Sequence, residues 1–247
     1  MQLFYCNNIT DGGICTLDAE ESRHAVRVLR MHEGDTLHVT DGLGNLFLGR
    51  IVVADPRDCS IEVSSPAKTD LVAQQAACKI HIAVAPTKNP ARMEWLVEKA
   101  VELGVGEISL LQCDHSERSF LKTDRLERIA LSAMKQSLRT LLPAIHPAVT
   151  LDEWLAAQQQ GIPSGSLKSL HFIAHCEADK PRTPLSTALV ANTDTTVLIG
   201  PEGDFSPREI DMAFAAGFKP VSFGENRLRT ETAALYAVAA FNFVNNL

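Results

Sequence analysis

No stretch of the chain stays apolar for the roughly 18 residues that a membrane-crossing helix needs. The longest candidate, near the C-terminus, is interrupted by Tyr236 and Asn242. Met1–Asn7 shows no basic start ahead of an apolar run, so no signal peptide is expected and the expected location is cytoplasmic. Cysteine is scattered: Cys6, Cys15, Cys59, Cys78, Cys113 and Cys176 form no C-x-x-C pair. That spacing supports neither a zinc site nor a disulfide framework and predicts free thiols. Bulk positive charge is missing as well. A net charge of −7 excludes a protein that coats nucleic acid by charge alone, so any RNA contact has to be focused. There is no G-x-G-x-x-G after a strand, no G-x-x-x-x-G-K-[ST] and no G-x-S-x-G, which removes three common nucleotide and hydrolase readings. His171 and His175 lie four apart on a predicted strand, where that spacing is about 13 Å, so no metal is expected.

The 247 residues are 45% hydrophobic and 21% charged, enough for a packed core. Two patterns divide them. Up to about residue 66 the chain reads as short strands and turns. Asp35–Thr40 alternates, Asp41–Asn45 turns on glycine, and Leu46–Val53 returns, which predicts a hairpin. Ser60–Ser64 alternates again. Residues 18 to 31 predict one helix, capped by Asp18, with Ala25, Val26 and Leu29 on a shared face. A small β-barrel with one helix follows. Pro66–Gln75 is polar and aperiodic, a linker. Beyond it strands and helices alternate. Ile80–Ala85 is a strand. Asn89 caps a helix with Pro90 in its first turn and Gly104 at its end. Ile108–Leu111 is a strand, and a helix runs from Asp124 to about Leu141. Leu170–Ala174 and Thr196–Ile199 are strands. Ser206–Glu209 is a capping box opening a helix that Gly217 closes. Val221–Phe223 is a strand, and Thr230 caps a last helix to about Val244. Such alternation predicts a mostly parallel α/β sheet covered on both faces.

Two segments carry chemistry. Leu198–Ser206 ends an apolar strand in two glycines flanking Pro201-Glu202, just before a helix. Glycine permits positive φ and lets a ligand lie on bare backbone, and ligands of parallel sheets sit past the carboxyl ends of strands. Ser222–Ala234 repeats the pattern, with Arg227 and Arg229 in the turn beside a helix N-terminus, suited to an anion or a developing negative charge. The two turns are expected on adjacent strands. Basic residues recur at Lys88, Arg92, Arg118, Lys122, Arg125, Arg128, Lys135 and Arg139. Solvated helix faces account for most of them; Lys88 and Arg118 follow strands at the same sheet edge as the glycine turns and are better placed to face a polyanion.

Gly200-Pro201-Glu202-Gly203 with Phe205-Ser206, and Leu228–Ala233, resemble the signature of the ribosomal small-subunit RNA methyltransferase E family. So do Trp95–Val105, Glu117-Arg118-Ser119, and His24–Arg30 with Gly34-Asp35. The likeness covers essentially the whole chain. It implies a PUA-like β-barrel RNA-binding domain over 1–70, followed over 71–247 by a SPOUT-type methyltransferase domain whose parallel sheet ends in a C-terminal trefoil knot. It implies a homodimer, and methyl transfer from S-adenosyl-L-methionine to N3 of a uridine in 16S rRNA of the small ribosomal subunit. By the same resemblance Leu198, Ile199, Gly200, Gly203, Phe223, Gly224, Leu228 and Arg229 bind the cofactor. Three positions depart from the pattern, one of them Leu138, where a glycine is common. Asp204 stands where a second glycine is usual, and Lys135 where a glutamate is common.

Loss of the N3 proton spreads negative charge over the flanking carbonyl oxygens. Arg229 is the candidate to stabilise it, and Glu202 is a candidate proton acceptor or loop-orienting group. Arg27, Arg30, Lys88, Arg92, Arg118 and Arg139 are candidate RNA contacts. A methyltransferase of this class acting on another RNA, and a non-catalytic RNA-binding assembly factor, remain alternatives.

Overall fold

The computed structural model describes residues 2–10, 13–64, 78–117, 121–161, 169–177 and 179–245. They fall into two compact units: Met1–Gln75 with Leu131–Leu142, and Ala76–Ala130 with Pro143–Leu247.

In the first unit the predicted segments become β3 (Thr36–Thr40), β4 (Leu46–Val53) and β5 (Ser60–Val63), and two strands not read from the sequence, β1 (Leu3–Tyr5) and β2 (Ile14–Thr16), complete the sheet in the order β1-β3-β4-β5-β2. The expected hairpin forms, with Thr36 opposite Arg50 and Thr40 opposite Leu46. Gly49 is dictated by packing: a Cβ there would lie 2.5 Å from Ile61 Cγ2. Phe4, Cys15, Leu17, Ala25, Val39, Ile51 and Ile61 make the core. Cys6 and Cys15 are joined as a disulfide, with Cα atoms 6.5 Å apart. This corrects the expectation of six separate thiols: β1 and β2 are the two edges of the sheet, and its curl brings them together.

Asp18 caps α1 (Ala19–Arg23) by accepting from Glu20 N and Glu21 N. The predicted single helix is a short α turn continued as a π turn over His24–Val28, and it stops before Arg30, whose φ is 57°. The segment Leu131–Leu142 belongs with these strands because it completes their hydrogen bonds. Thr40 Oγ1 donates to Thr140 O at 3.0 Å, and Thr140 Oγ1 to Gly44 O at 3.0 Å. Lys135 pairs with the buried Glu21, so the departure at 135 puts a cation where a buried carboxylate needs one.

The second unit holds β6 (Ile80–Val84), β7 (Glu107–Gln112), β8 (Ala144–Thr150), β9 (Leu170–Ala174), β10 (Thr183–Pro184), β11 (Thr195–Ile199) and β12 (Lys219–Ser222). Their order is β10-β12-β9-β11-β6-β7-β8, and every neighbouring pair is parallel. The helices are α2 (Pro90–Leu103), α3 (Thr123–Gln136), whose residues from Leu131 on count with the first unit, α4 (Leu151–Gly161), α5 (Leu185–Ala188), α6 (Pro207–Ala215) and α7 (Thr230–Asn245). Asn89 caps α2 through Ala91 N, and Gly104 ends it at φ 89°. The α6 capping box is complete in both directions. Helix α3 stops short of Leu141 because Ser137 Oγ bonds Ala133 O at 2.6 Å and Leu138 turns left-handed at φ 59°.

Strand β8 and helix α4 were not expected from the sequence: Pro147 falls within the strand and none of its residues is buried, so no clean alternation is left to read. Strand β11 is buried throughout, and β9 is buried at its centre, at Phe172 and Ile173, as expected of central strands in a parallel sheet. Ala83, Leu111, Ile173, Leu198, Phe205, Ile210 and Phe218 form one face's core. Among the described residues no helix is long and apolar enough to cross a membrane.

Candidate functional site

The carboxyl ends of β9, β11 and β12 open onto one cavity of about 300 Å³. This is where a parallel sheet presents backbone groups that no strand partner satisfies. Ile199, Gly200, Pro201, Glu202 and Asp204 line it from the turn after β11, and Phe223, Gly224, Arg227, Leu228 and Arg229 from the turn after β12. The two turns are not on adjacent strands, contrary to the expectation. β9 lies between them, with Ile173 paired to both Leu198 and Pro220. A third wall therefore exists, made by Ala174, His175, Cys176 and Arg182. Its signal was present in the sequence, since any residue directly following a parallel strand shares that edge.

The turn after β11 is braced from three sides. Glu202 Oε1 accepts from Lys88 N at 3.0 Å. Gly203 faces His115, where a Cβ would come within 2.9 Å of His115 Cβ, and His115 Nδ1 lies 3.1 Å from both Gly203 O and Asp204 O. Asp204 adopts φ 64° and accepts from Cys176 N at 2.7 Å and from Phe205 N at 2.9 Å. Ser206 Oγ donates to Asp114 Oδ2 at 2.5 Å, and the buried Glu209 accepts from Asp114 N and Ser206 N. Arg208 spans Asp114 and Asp152, and with Ser206 it holds the Asp114 carboxyl below its ordinary range. Leu198 and Gly203 do not line the cavity. Leu198 is fully buried in the core, and Gly203 gives the turn its approach to His115.

The turn after β12 is more open. Gly224 sits at φ 108°, and a Cβ added there would meet nothing within 4 Å. Gly224, Glu225, Asn226, Arg227 and Arg229 are exposed. The turn is tied at its end, where Thr230 Oγ1 donates to Gly200 O at 3.0 Å, so the two predicted turns do meet.

The candidate RNA contacts are dispersed. In the first unit Arg27 and Arg30 are exposed, while Arg139 is half-buried, and burial draws its guanidinium below the usual range. In the second, Lys88 is exposed and pairs with Glu117 at 2.7 Å, and Arg92 reaches Glu231 at 3.4 Å. Arg118 lies outside the described residues.

A family profile described as an RNA methyltransferase domain matches residues 74–242, and one described as an RNA methyltransferase PUA domain matches residues 17–64. The chain belongs to this RNA methyltransferase family. A crystal structure from Porphyromonas gingivalis, described as a "probable rRNA-methyltransferase", is 40% identical, with 100% of this chain and 99% of that one covered and a TM-score of 0.86. The ribosomal RNA small subunit methyltransferase E of Neisseria gonorrhoeae, solved bound to S-adenosyl methionine, is 27% identical over 99% of this chain and 98% of that one, with a TM-score of 0.78. The protein of the same name from Aquifex aeolicus is 29% identical over 97% of this chain and 98% of its own length. The likeness read from the two glycine motifs to the methyltransferase E family thus holds along the full methyltransferase chain.

Proposed function

We propose that the chain is an S-adenosylmethionine-dependent methyltransferase that modifies N3 of a uridine in 16S rRNA of the small ribosomal subunit. The carrying observation is the cavity that Gly200 and Gly224 open at the carboxyl edge of the sheet, with Arg229 in its wall. The cavity fits the cofactor. Its volume is at the lower end of small-molecule sites, its floor is strand-end backbone, and Gly224 leaves one side free of any Cβ. Ile199, Gly200, Phe223, Gly224 and Leu228 would hold the nucleoside, with Leu198 contributing backbone only and Gly203 the shape of the turn. The bound cofactor supplies an electrophilic methyl group.

The protein's own share is electrostatic and positional. Arg229, exposed at the cavity, is free to meet the oxyanion character that N3 deprotonation creates on the uracil carbonyls, and removing one such donor typically costs about 10²–10³ in rate. Glu202 is the wall's available proton acceptor. Asp204 has both oxygens engaged by backbone N–H groups, whereas Glu202 commits Oε1 to Lys88 N. Holding N3 in line with the methyl supplies further acceleration.

The same reading assigns the first unit as the PUA-like RNA-binding domain, with Arg27, Arg30 and Arg139 as contacts, and Lys88, Arg92 and Arg118 as contacts of the methyltransferase domain. It also assigns a trefoil knot at the two glycine turns, a cytoplasmic location and a homodimer. The exposed Trp95 on α2 and Tyr236 and Phe243 on α7, two helices that pack together, offer an apolar face for the dimer.

Mass mapping of methyluridine in 16S rRNA from a deletion strain, with and without the restored gene, tests the proposal. Loss and recovery of a single N3-methyluridine is the expected result; an unchanged 16S pattern with a site lost elsewhere would give the chain a different RNA.

A further inference from the structure

We propose that Asp204 is a positioning residue whose carboxylate clamps the His175–Cys176 wall to the turn after β11 and so forms the cofactor cavity in advance. The inference rests on the reading that this cavity holds S-adenosylmethionine.

Asp204 has φ 64°, a region that L-residues rarely occupy and glycine enters at no steric cost. Glycine is the residue that the resemblance leads one to expect there, so the side chain itself requires an account. Its two oxygens supply one. Oδ1 accepts from the next residue, Phe205 N, at 2.9 Å, which stabilises the left-handed turn locally. Oδ2 accepts from Cys176 N at 2.7 Å, and Cys176 lies 28 residues earlier, just past the end of β9. A second tie runs beside it, with Arg182 Nη1 donating to His175 O at 2.6 Å.

Asp204, His175, Cys176 and Arg182 all line the cavity. Cys176 is itself exposed, so without these ties its segment would be loop backbone at the mouth of the site. Hydrogen bonds to a carboxylate are short and about twice as strong as neutral ones. Wall segments ordered before binding spare the ligand the ordering cost, which is the ordinary route from preorganisation to affinity. The clamp acts through Cys176 and the wall rather than on reacting atoms.

Cys176 also provides the readout. Cys59, Cys78 and Cys113 are buried and Cys6 is paired with Cys15, so alkylation of the native protein reports on Cys176. Alkylation by iodoacetamide would be timed, and S-adenosylmethionine affinity measured by calorimetry, for the wild type, Asp204→Gly and Asp204→Asn. Glycine suits the backbone, so Asp204→Gly should keep its fold, as a thermal melt would verify. Its Cys176 should react at least about fivefold faster and its cofactor Kd should rise about tenfold, through loss of preorganisation. Asp204→Asn loses the charge but keeps an oxygen for Cys176 N, so its thiol rate should stay within about twofold of wild type.

An unchanged thiol rate in Asp204→Gly overturns the clamp. So does an Asp204→Asn rate equal to that of Asp204→Gly, because charge near the thiol would then explain both. A wild type that binds no S-adenosylmethionine while the thiol rates separate as expected supports the clamp and overturns the cofactor reading instead.

Discussion

After β11 the chain leaves the sheet through Gly200–Ser206, tied to Lys88, Asp114, His115 and Cys176; after β12 it leaves through Phe223–Arg229, much of which faces solvent. Both segments are glycine turns that open a helix. The first has its shape fixed by the protein; the second meets it through Thr230 on Gly200 and leaves Arg229 exposed. A site that must hold a cofactor in one pose and still admit a nucleobase gains from that division. On the proposed reading one wall is preorganised, and the other presents the exposed Arg229 to the incoming substrate.

The largest expected effect is that of Arg229→Ala in the open turn. If the open turn carries the chemistry, methyl transfer to 16S rRNA falls about 10²–10³-fold with an unaltered melting temperature, read by tritium incorporation. Equal losses of activity and stability would mean that Arg229 is structural. On the braced side the expected effect is on folding. Gly203→Ala forces a Cβ to within 2.9 Å of His115 Cβ, and overpacking of this kind costs roughly 1–3 kcal/mol. Gly224→Ala meets no atom within 4 Å and bears only the strain of φ 108°, about 1–2 kcal/mol. Chemical denaturation of both variants should rank them in that order. Ser206→Ala removes the α6 cap and a bond to Asp114, at a cost of about 1 kcal/mol.

The amino end of the same sheet extends the comparison to pH. His81 is largely buried against Trp154, bonds Ser109 Oγ at 2.9 Å, and burial pulls its pKa to about 4 against the pull of Glu107. A histidine whose folded pKa is depressed must be neutral in the native state. Its contribution is therefore present above its ordinary value near 6.5 and is lost as pH falls from there toward 4. The melting temperature should decline over that window, and His81→Asn should flatten the decline. A slope unchanged by the substitution would assign it to other groups.

Much of this was legible in the sequence because local rules coincided with the fold. Asn89-Pro90 and Gly104 bound α2, Ser206 and Glu209 cap α6, and the paired apolar runs became β9 and β11. What escaped depended on sheet order, which no local pattern encodes. The insertion of β9 between β11 and β12 brings Cys176 and Arg182 to the cavity, and the return of Leu131–Leu142 to the first unit rests on Thr140 and Thr40, 100 residues apart. The end of helix α3 falls earlier than its apolar periodicity suggests because Leu138, an apolar residue where the resemblance has glycine, keeps the periodicity while its backbone turns left-handed.

Where the cofactor binds is the most direct test. A crystal structure of the chain with S-adenosylmethionine should show the nucleoside between Ile199-Gly200 and Phe223-Gly224, with its methyl directed toward the side from which Arg229 is reached. Clear density for the ligand at any other place, or a saturated crystal with these two turns in contact with nothing, would contradict it.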